Sequence, residues 1–179
     1  SELKGKTLGI QAYGKVGRLV AALAKGFGMK IMAIDPFVPA EQMEAEGVEV
    51  AKDLNELYSK SNFVSLHIPA TEQTKGSIGA ALLKEMPKGG CLVNTARKEV
   101  INEAELMQVL GEREDLKYIT DVAPANYAEL KEKYGNRVFA TPKKMGAETA
   151  EANINAGLAA ANQIVDFFTT GNKRFQVNK

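Results

Sequence analysis

Short apolar runs alternate with helix-patterned segments from Thr7 to Thr169, and this alternation restricts the fold more than any other feature of the chain. Thr7–Gln11, Lys30–Ile34, Val48–Val50, Phe63–Leu66, Cys91–Asn94, Lys117–Thr120 and Val138–Thr141 read as strands. Gly14–Gly28 carries a helical period in Val16, Leu19, Val20 and Leu23. Asp53–Tyr58, Gly79–Glu85, Glu103–Leu110, Ala128–Tyr134 and Ala147–Thr169 read as further helices. Asp53 precedes Glu56, and Asn102 precedes Glu105, at the three-residue spacing of an N-cap and its acid. Strands separated by helices pair through crossovers and run parallel, and their continuous apolar runs fit burial on both faces. The expected fold class is α/β, a doubly wound parallel sheet of about seven strands in one domain over residues 1–179.

Composition narrows the function. The chain has 179 residues, 45% of them hydrophobic and 25% charged, which excludes a disordered chain and provides for a sizeable core. No apolar run approaches the ~20 residues that a membrane-spanning helix needs. Twenty-three basic and 22 acidic residues leave a net charge of +1 and no basic tail, which argues against a nucleic-acid partner. One cysteine, Cys91, and one histidine, His67, exclude an internal disulfide and a multi-Cys or multi-His metal site. A cytoplasmic setting is expected.

The first strand-to-helix turn reads Ala12-Tyr13-Gly14-Lys15-Val16-Gly17, one residue away from the G-x-G-x-x-G dinucleotide fingerprint. Gly14 lets backbone approach a pyrophosphate, Gly17 lets helix and strand pack, and the helix N-terminus takes phosphate charge. Ala12 stands where the tight-turn glycine would be and is expected at negative φ. The bland alternative is a helix entry with incidental glycines. Asp35 ends the second strand 18 residues after Gly17, near the ~20-residue spacing of the ribose-binding acid. With Pro36, Phe37 and Val38 after it and no base, it favours NAD over NADP, although a strand-ending Asp is also an ordinary turn residue. His67 with Pro69, Thr95-Ala96-Arg97, and Asp121 follow three other strands. Singly, each reads as well as a half-buried histidine or a solvated charge. Together they fall on the edge where open parallel sheets bind ligands.

These residues, with Phe63 to Pro69, Asn94 to Arg97, Asp121-Val122, and Thr141-Pro142 followed by Gly146-Ala147, resemble the D-isomer-specific 2-hydroxyacid dehydrogenases, in the family's order along nearly the whole chain. Leu92 to Ile101 and Thr141 to Ala156 resemble a subgroup in which lysine replaces the family's catalytic histidine. The resemblance implies an NAD-dependent oxidoreductase that converts D-3-phosphoglycerate to 3-phosphohydroxypyruvate in serine biosynthesis. It implies cofactor contacts at Ala12, Gly14, Lys15, Val16, Gly17, Asp35, Pro36, His67, Ile68, Pro69, Thr74, Thr95, Ala96, Asp121 and Gly146. Arg97 matches the arginine that binds the substrate's carboxylate and carbonyl. The resemblance also implies a homodimer formed through this domain.

Two positions depart from the family. Lys143 stands where the family's histidine follows Thr-Pro, and Asn126 stands where its acid partner lies. A lysine is a base only as the neutral amine. Positive charge at Arg97, Lys144 and the nicotinamide, together with burial, is expected to disfavour its charged form. A glutamate beside it would favour that form, and Asn126 can orient the amine without doing so. Arg97, Lys143 and Asn126 are therefore the expected catalytic residues, with no metal ligand among them. The family's substrate domain has no room before Thr7, so this chain alone is expected to lack activity. Two alternatives remain: a non-enzymatic NAD-binding sensor or corepressor-like module, and a dehydrogenase for another D-2-hydroxy acid.

Overall fold

The computed structural model describes residues 2–144, 146 and 148–178. The chain divides into two compact units, Ser1–Lys143 and Lys144–Lys179. The first holds seven strands: β1 (Thr7–Gln11), β2 (Lys30–Ile34), β3 (Glu49–Val50), β4 (Phe63–Leu66), β5 (Cys91–Asn94), β6 (Lys117–Thr120) and β7 (Val138–Ala140). They form one sheet in the order β3-β2-β1-β4-β5-β6-β7, with every pair parallel. The winding reverses between β1 and β4, so two connections leave in opposite directions and open a crevice at that point.

Helices cover both faces. Successive β2 residues part to opposite sides, as a period of two requires. Ile31 and Ala33 join one apolar cluster with Leu8, Ile10, Ala21 and Ala24. Met32 joins the other with Leu57, Val64, Leu92 and Leu106. α1 (Lys15–Gly26) meets the sheet through its small residues Gly17, Ala21 and Ala24. A Cβ at Gly17 would lie 2.4 Å from the Ala12 carbonyl oxygen, so the close approach requires glycine. The helical period in Val16, Leu19 and Leu23 is present but faces outward, because only the small-residue face fits this approach; these residues are 60%, 66% and 69% exposed.

Both N-caps form as the sequence predicts. Asp53 Oδ1 accepts from Glu56 N at 2.8 Å ahead of α3 (Leu54–Lys60), and Glu56 Oε2 accepts from Lys52 N at 2.8 Å. Asn102 Oδ1 accepts from Glu105 N at 3.2 Å ahead of α5 (Glu103–Glu112). α4 is shorter than the sequence suggests, Ala80–Leu83, and α6 covers Tyr127–Tyr134. α2 (Ala40–Ala45) carries no clear sequence signal, since its six residues follow Pro39 without a capping side chain. The expectation of strands buried on both faces holds for the sheet centre and fails for β6 and β7. There Tyr118 and Thr120 are buried while Lys117, Ile119 and Phe139 are exposed, since within this unit the second face of that end carries no cover.

The second unit, Lys144–Lys179, holds α7 (Ala150–Thr170). Thr149 caps it by accepting from Ala152 N at 3.0 Å, and Gly171 closes it at φ +72°. The expected start at Ala147 lies outside the described residues.

Candidate functional site

In a parallel sheet the strand ends that precede helices gather on one edge, and here that edge holds the predicted polar residues. The turn after β1 departs from expectation: Ala12 sits at φ +76°, not at negative φ. Both flanks force it. Ala12 N donates to Ile34 O at 2.9 Å, and Tyr13 N donates to Asp35 Oδ2 at 2.7 Å. The Tyr13 ring is buried, with its hydroxyl donating to Glu46 Oε2 at 2.9 Å; burial first, and then this bond, raise the phenol pKa to about 12. The turn needs a left-handed residue, and alanine adopts it at a cost of about 1–2 kcal/mol. A Cβ at Gly14 would meet nothing within 4 Å, so open space lies over the start of α1. Gly14 caps α1 without a side-chain hydrogen bond, which leaves the first-turn N–H groups of Lys15, Val16 and Gly17 unclaimed by any capping side chain.

Asp35, at the end of β2, uses both carboxylate oxygens. Oδ2 accepts from Tyr13 N, and Oδ1 accepts from Phe37 N at 2.8 Å. Pro36 is exposed beside it. At the end of β4, Ser65 Oγ and His67 Nε2 lie 3.0 Å apart. Burial pushes the His67 imidazole below its usual range, so the ring is neutral at neutral pH. Thr74 Oγ1 donates to Pro69 O at 2.5 Å and closes the following turn.

A cavity of about 280 Å³ brings together Val16, His67, Ile68, Pro69, Thr95, Ala96 and Arg97. Arg97 is exposed, and its Nη1 donates to Ala96 O at 2.9 Å. Asp35 and Pro36 lie on the other side of β1, and Asp121, Asn126 and Lys143 continue along the edge beyond β6 and β7. Asp121 Oδ1 and Asn126 Oδ1 are buried acceptors with no hydrogen-bond partner among the described residues. Thr141 Oγ1 lies 2.9 Å from Lys143 O and 3.3 Å from Asp121 O, tying these two loops together. Lys143 is exposed in this structure, so the burial expected to favour its neutral form is not supplied here. Gly146 belongs to the second unit and is exposed.

Sequence reasoning gives Asn94, Thr120 and Ser65 no role at this edge, although Asn94 and Ser65 fall within segments that carry the resemblance. Their signal was a polar residue at or near the end of an otherwise apolar strand, buried here to 1%, 1% and 6% exposure. Among the described residues no three His, Cys, Asp or Glu side chains cluster as metal ligands, and no helix is long and apolar enough to cross a membrane.

A dinucleotide meets complementary chemistry along this edge: open space and N–H groups at the start of α1 for its phosphates, a carboxylate at the end of β2 for ribose hydroxyls, and an orphaned acceptor at Asp121 for an amide N–H. Sheet order and turn together define a Rossmann-type dinucleotide-binding domain. Residues 1–144 match the D-isomer specific 2-hydroxyacid dehydrogenase, NAD binding domain, and the chain belongs to that family of oxidoreductases. D-3-phosphoglycerate dehydrogenase of Methanocaldococcus jannaschii is 38% identical over 168 residues, which cover 91% of this chain and 31% of that protein. Hydroxypyruvate reductase of Thermotoga maritima is 37% identical over 167 residues, covering 91% of this chain and 53% of that protein. The crystal structure of NAD+-bound 3-phosphoglycerate dehydrogenase of Entamoeba histolytica superposes with a TM-score of 0.89 at 51% identity, covering all of this chain and 57% of that one. The chain thus spans about a third to a little over a half of these relatives.

Proposed function

We propose that this chain is the cofactor half of a dehydrogenase that oxidises D-3-phosphoglycerate to 3-phosphohydroxypyruvate with NAD. The observation that carries the reading is the succession of Arg97, Asp121 and Lys143 past β5, β6 and β7, on the same edge as the glycine turn and Asp35. The relatives named phosphoglycerate dehydrogenase, one of them 51% identical over the whole chain, support the substrate.

In this reading the first-turn N–H groups at Lys15, Val16 and Gly17 hold the pyrophosphate, with Ala12 and Gly14 shaping the turn. Asp35 and Pro36 receive the adenosine ribose, and the carboxylate repels a 2′-phosphate. His67, Ile68, Pro69, Thr74, Thr95 and Ala96 line the remainder, and Asp121 Oδ1 accepts from the nicotinamide carboxamide. When bound, NAD would supply the acceptor for the hydride on the substrate's C2. The planar fork of Arg97 holds the substrate's carboxylate and C2 oxygen. Lys143, as the neutral amine, takes the hydroxyl proton as the C–H bond breaks, and Asn126 Oδ1 orients that amine.

The 37% identity to a hydroxypyruvate reductase favours a second reading for the substrate alone, a smaller 2-hydroxy acid on the same site. The complete gene product assayed with NAD and 3-phosphoglycerate against glycerate decides between them. Turnover of neither refutes both and favours an NAD-binding module without chemistry. This 179-residue chain by itself is expected to bind NADH and to turn nothing over, because a second domain is needed to exclude water from the substrate.

A second copy of the chain is the proposed partner. Val16, Leu19 and Leu23 on α1, with Phe27 just past its end, make an apolar stripe, each 60% exposed or more, of the kind that marks an association surface. Sedimentation of wild type against Leu19→Glu/Leu23→Glu tests it, with dimer expected for the first and monomer for the second.

A further inference from the structure

We propose that Asn94 is a positioning residue for Arg97, fixing the Thr95–Arg97 turn from inside and tying it to the neighbouring strand through Thr120. The inference rests on the reading of Arg97 as the substrate-binding arginine.

Asn94 is the last residue of β5 and is 1% exposed. Its side chain spans the turn it precedes. Oδ1 accepts from Ala96 N at 3.0 Å, and Nδ2 donates to Arg97 O at 3.0 Å. Only an amide carries an acceptor and a donor at that spacing; leucine supplies neither, and ionised aspartate supplies no donor. The backbone is therefore pinned at Ala96 N and at Arg97 O, on both sides of the Arg97 Cα, and Arg97 Nη1 donates back to Ala96 O of the same turn.

Asn94 is itself held. Tyr118 OH, 1% exposed, lies 3.4 Å from Nδ2, and burial pushes its phenol pKa up, so it stays protonated. Thr120 stands opposite Asn94 in the β5–β6 register, and its Oγ1 donates to Asn94 O at 2.8 Å. Asp121 N lies 3.3 Å from the same oxygen, and Val122 N donates to Thr120 Oγ1 at 3.0 Å. One buried lattice thus sets the distance between the arm that carries Arg97 and the arm that carries Asp121. Such a lattice rigidifies when every member is satisfied, and it loosens what it presents when one is removed.

The test has two arms. In the complete gene product, Asn94→Asp is expected to raise the KM for 3-phosphoglycerate about 10–100-fold, as for one or two lost bonds, with a smaller rise in NADH Kd and kcat reduced less than KM rises. Thr120→Val is expected to act in the same direction more weakly, with Thr120→Ser restoring wild-type behaviour. Combining Asn94→Asp with Arg97→Lys is expected to add little to Arg97→Lys alone, because both act through one group. Additive losses, or an unchanged KM, overturn the proposal. The second arm needs no turnover. Amide exchange of Ala96 is expected to quicken at least about 100-fold in Asn94→Ala while Leu92 keeps its protection, and unchanged exchange at Ala96 overturns the proposal. If Asn94→Ala fails to fold, the exchange of Ala96 in Thr120→Val against Thr120→Ser decides. Accelerated exchange together with a wild type that oxidises no 2-hydroxy acid refutes the functional reading and leaves the positioning role standing.

Discussion

The two ends of the sheet edge handle polar groups in opposite ways. Beside β1 and β2, Asp35 gives both oxygens to backbone N–H groups, and Tyr13 gives its hydroxyl to Glu46, which also pairs with Arg18. Beyond β6 and β7, Asp121 and Asn126 each keep a buried oxygen that no described residue satisfies. The first region is assembled before any ligand arrives. The second holds unspent acceptors, each costing about 1–3 kcal/mol until something donates to it. Substitutions at the closed end are expected to cost stability along with binding, and those at the open end to cost function alone.

The largest effect is expected at the open end. Lys143→Ala in the complete gene product is expected to lower kcat by about 10²–10⁴, the range for losing a general base, with NADH affinity and melting temperature unchanged. Near-normal kcat would remove Lys143 from the mechanism and leave Lys144 as the nearest candidate. At the closed end, Asp35→Ala is expected to destabilise this chain by about 2–3 kcal/mol, because two backbone donors lose a charged acceptor. NADH binding is expected to weaken and discrimination against NADPH to shrink. Urea unfolding and fluorescence titration read both; intact stability would break the contrast between the two ends.

Asp121→Ala sharpens the contrast. It removes an orphaned acceptor, so stability is expected to hold or rise by about 1 kcal/mol while NADH Kd rises about 10-fold. A clear loss of stability would mean that the oxygen already has a partner. Ala12→Gly relieves a left-handed alanine at some cost in chain entropy, and the net gain is expected to be below about 1 kcal/mol, a rise of ~2–4 °C or less in melting temperature. The smallest effect concerns pH. Burial holds His67 below its ordinary value of ~6.5, so the unfolded chain takes up this proton first as pH falls. Its contribution to stability is present in full above ~6.5 and is lost as pH drops through the folded value. Urea midpoints at neutral and mildly acid pH are expected to differ less in His67→Gln than in wild type.

The sequence carried the sheet well because burial writes itself into composition: strands such as Ile31 to Ile34 are apolar wherever both faces are covered. It carried the glycine turn and Asp35 because backbone geometry restricts those positions. It failed where one signal has two solutions. Val16, Leu19 and Leu23 have a helical period whether they face the sheet or water, and only the closeness demanded at Gly17 decides. Ala12 was read from its own steric preference, whereas hydrogen bonds at Ala12 N and Tyr13 N set its φ. Asn94 was legible only as part of a motif, because its two bonds depend on a turn that residue spacing does not draw.

The strand order has a consequence for synthesis. β1 leaves the ribosome first, β2 and β3 add outward on one side, and β4 to β7 add outward on the other. Each new strand therefore meets an open edge, and none must insert between two that are already paired. A chain made at ~5–20 residues per second can build this sheet from its centre as it emerges. Asp35 can close onto Tyr13 once β2 has paired with β1, well before Lys117 is translated. The cofactor-side turn is thus available to template the growing domain, and the β6–β7 end, with its unsatisfied acceptors, is the last to set.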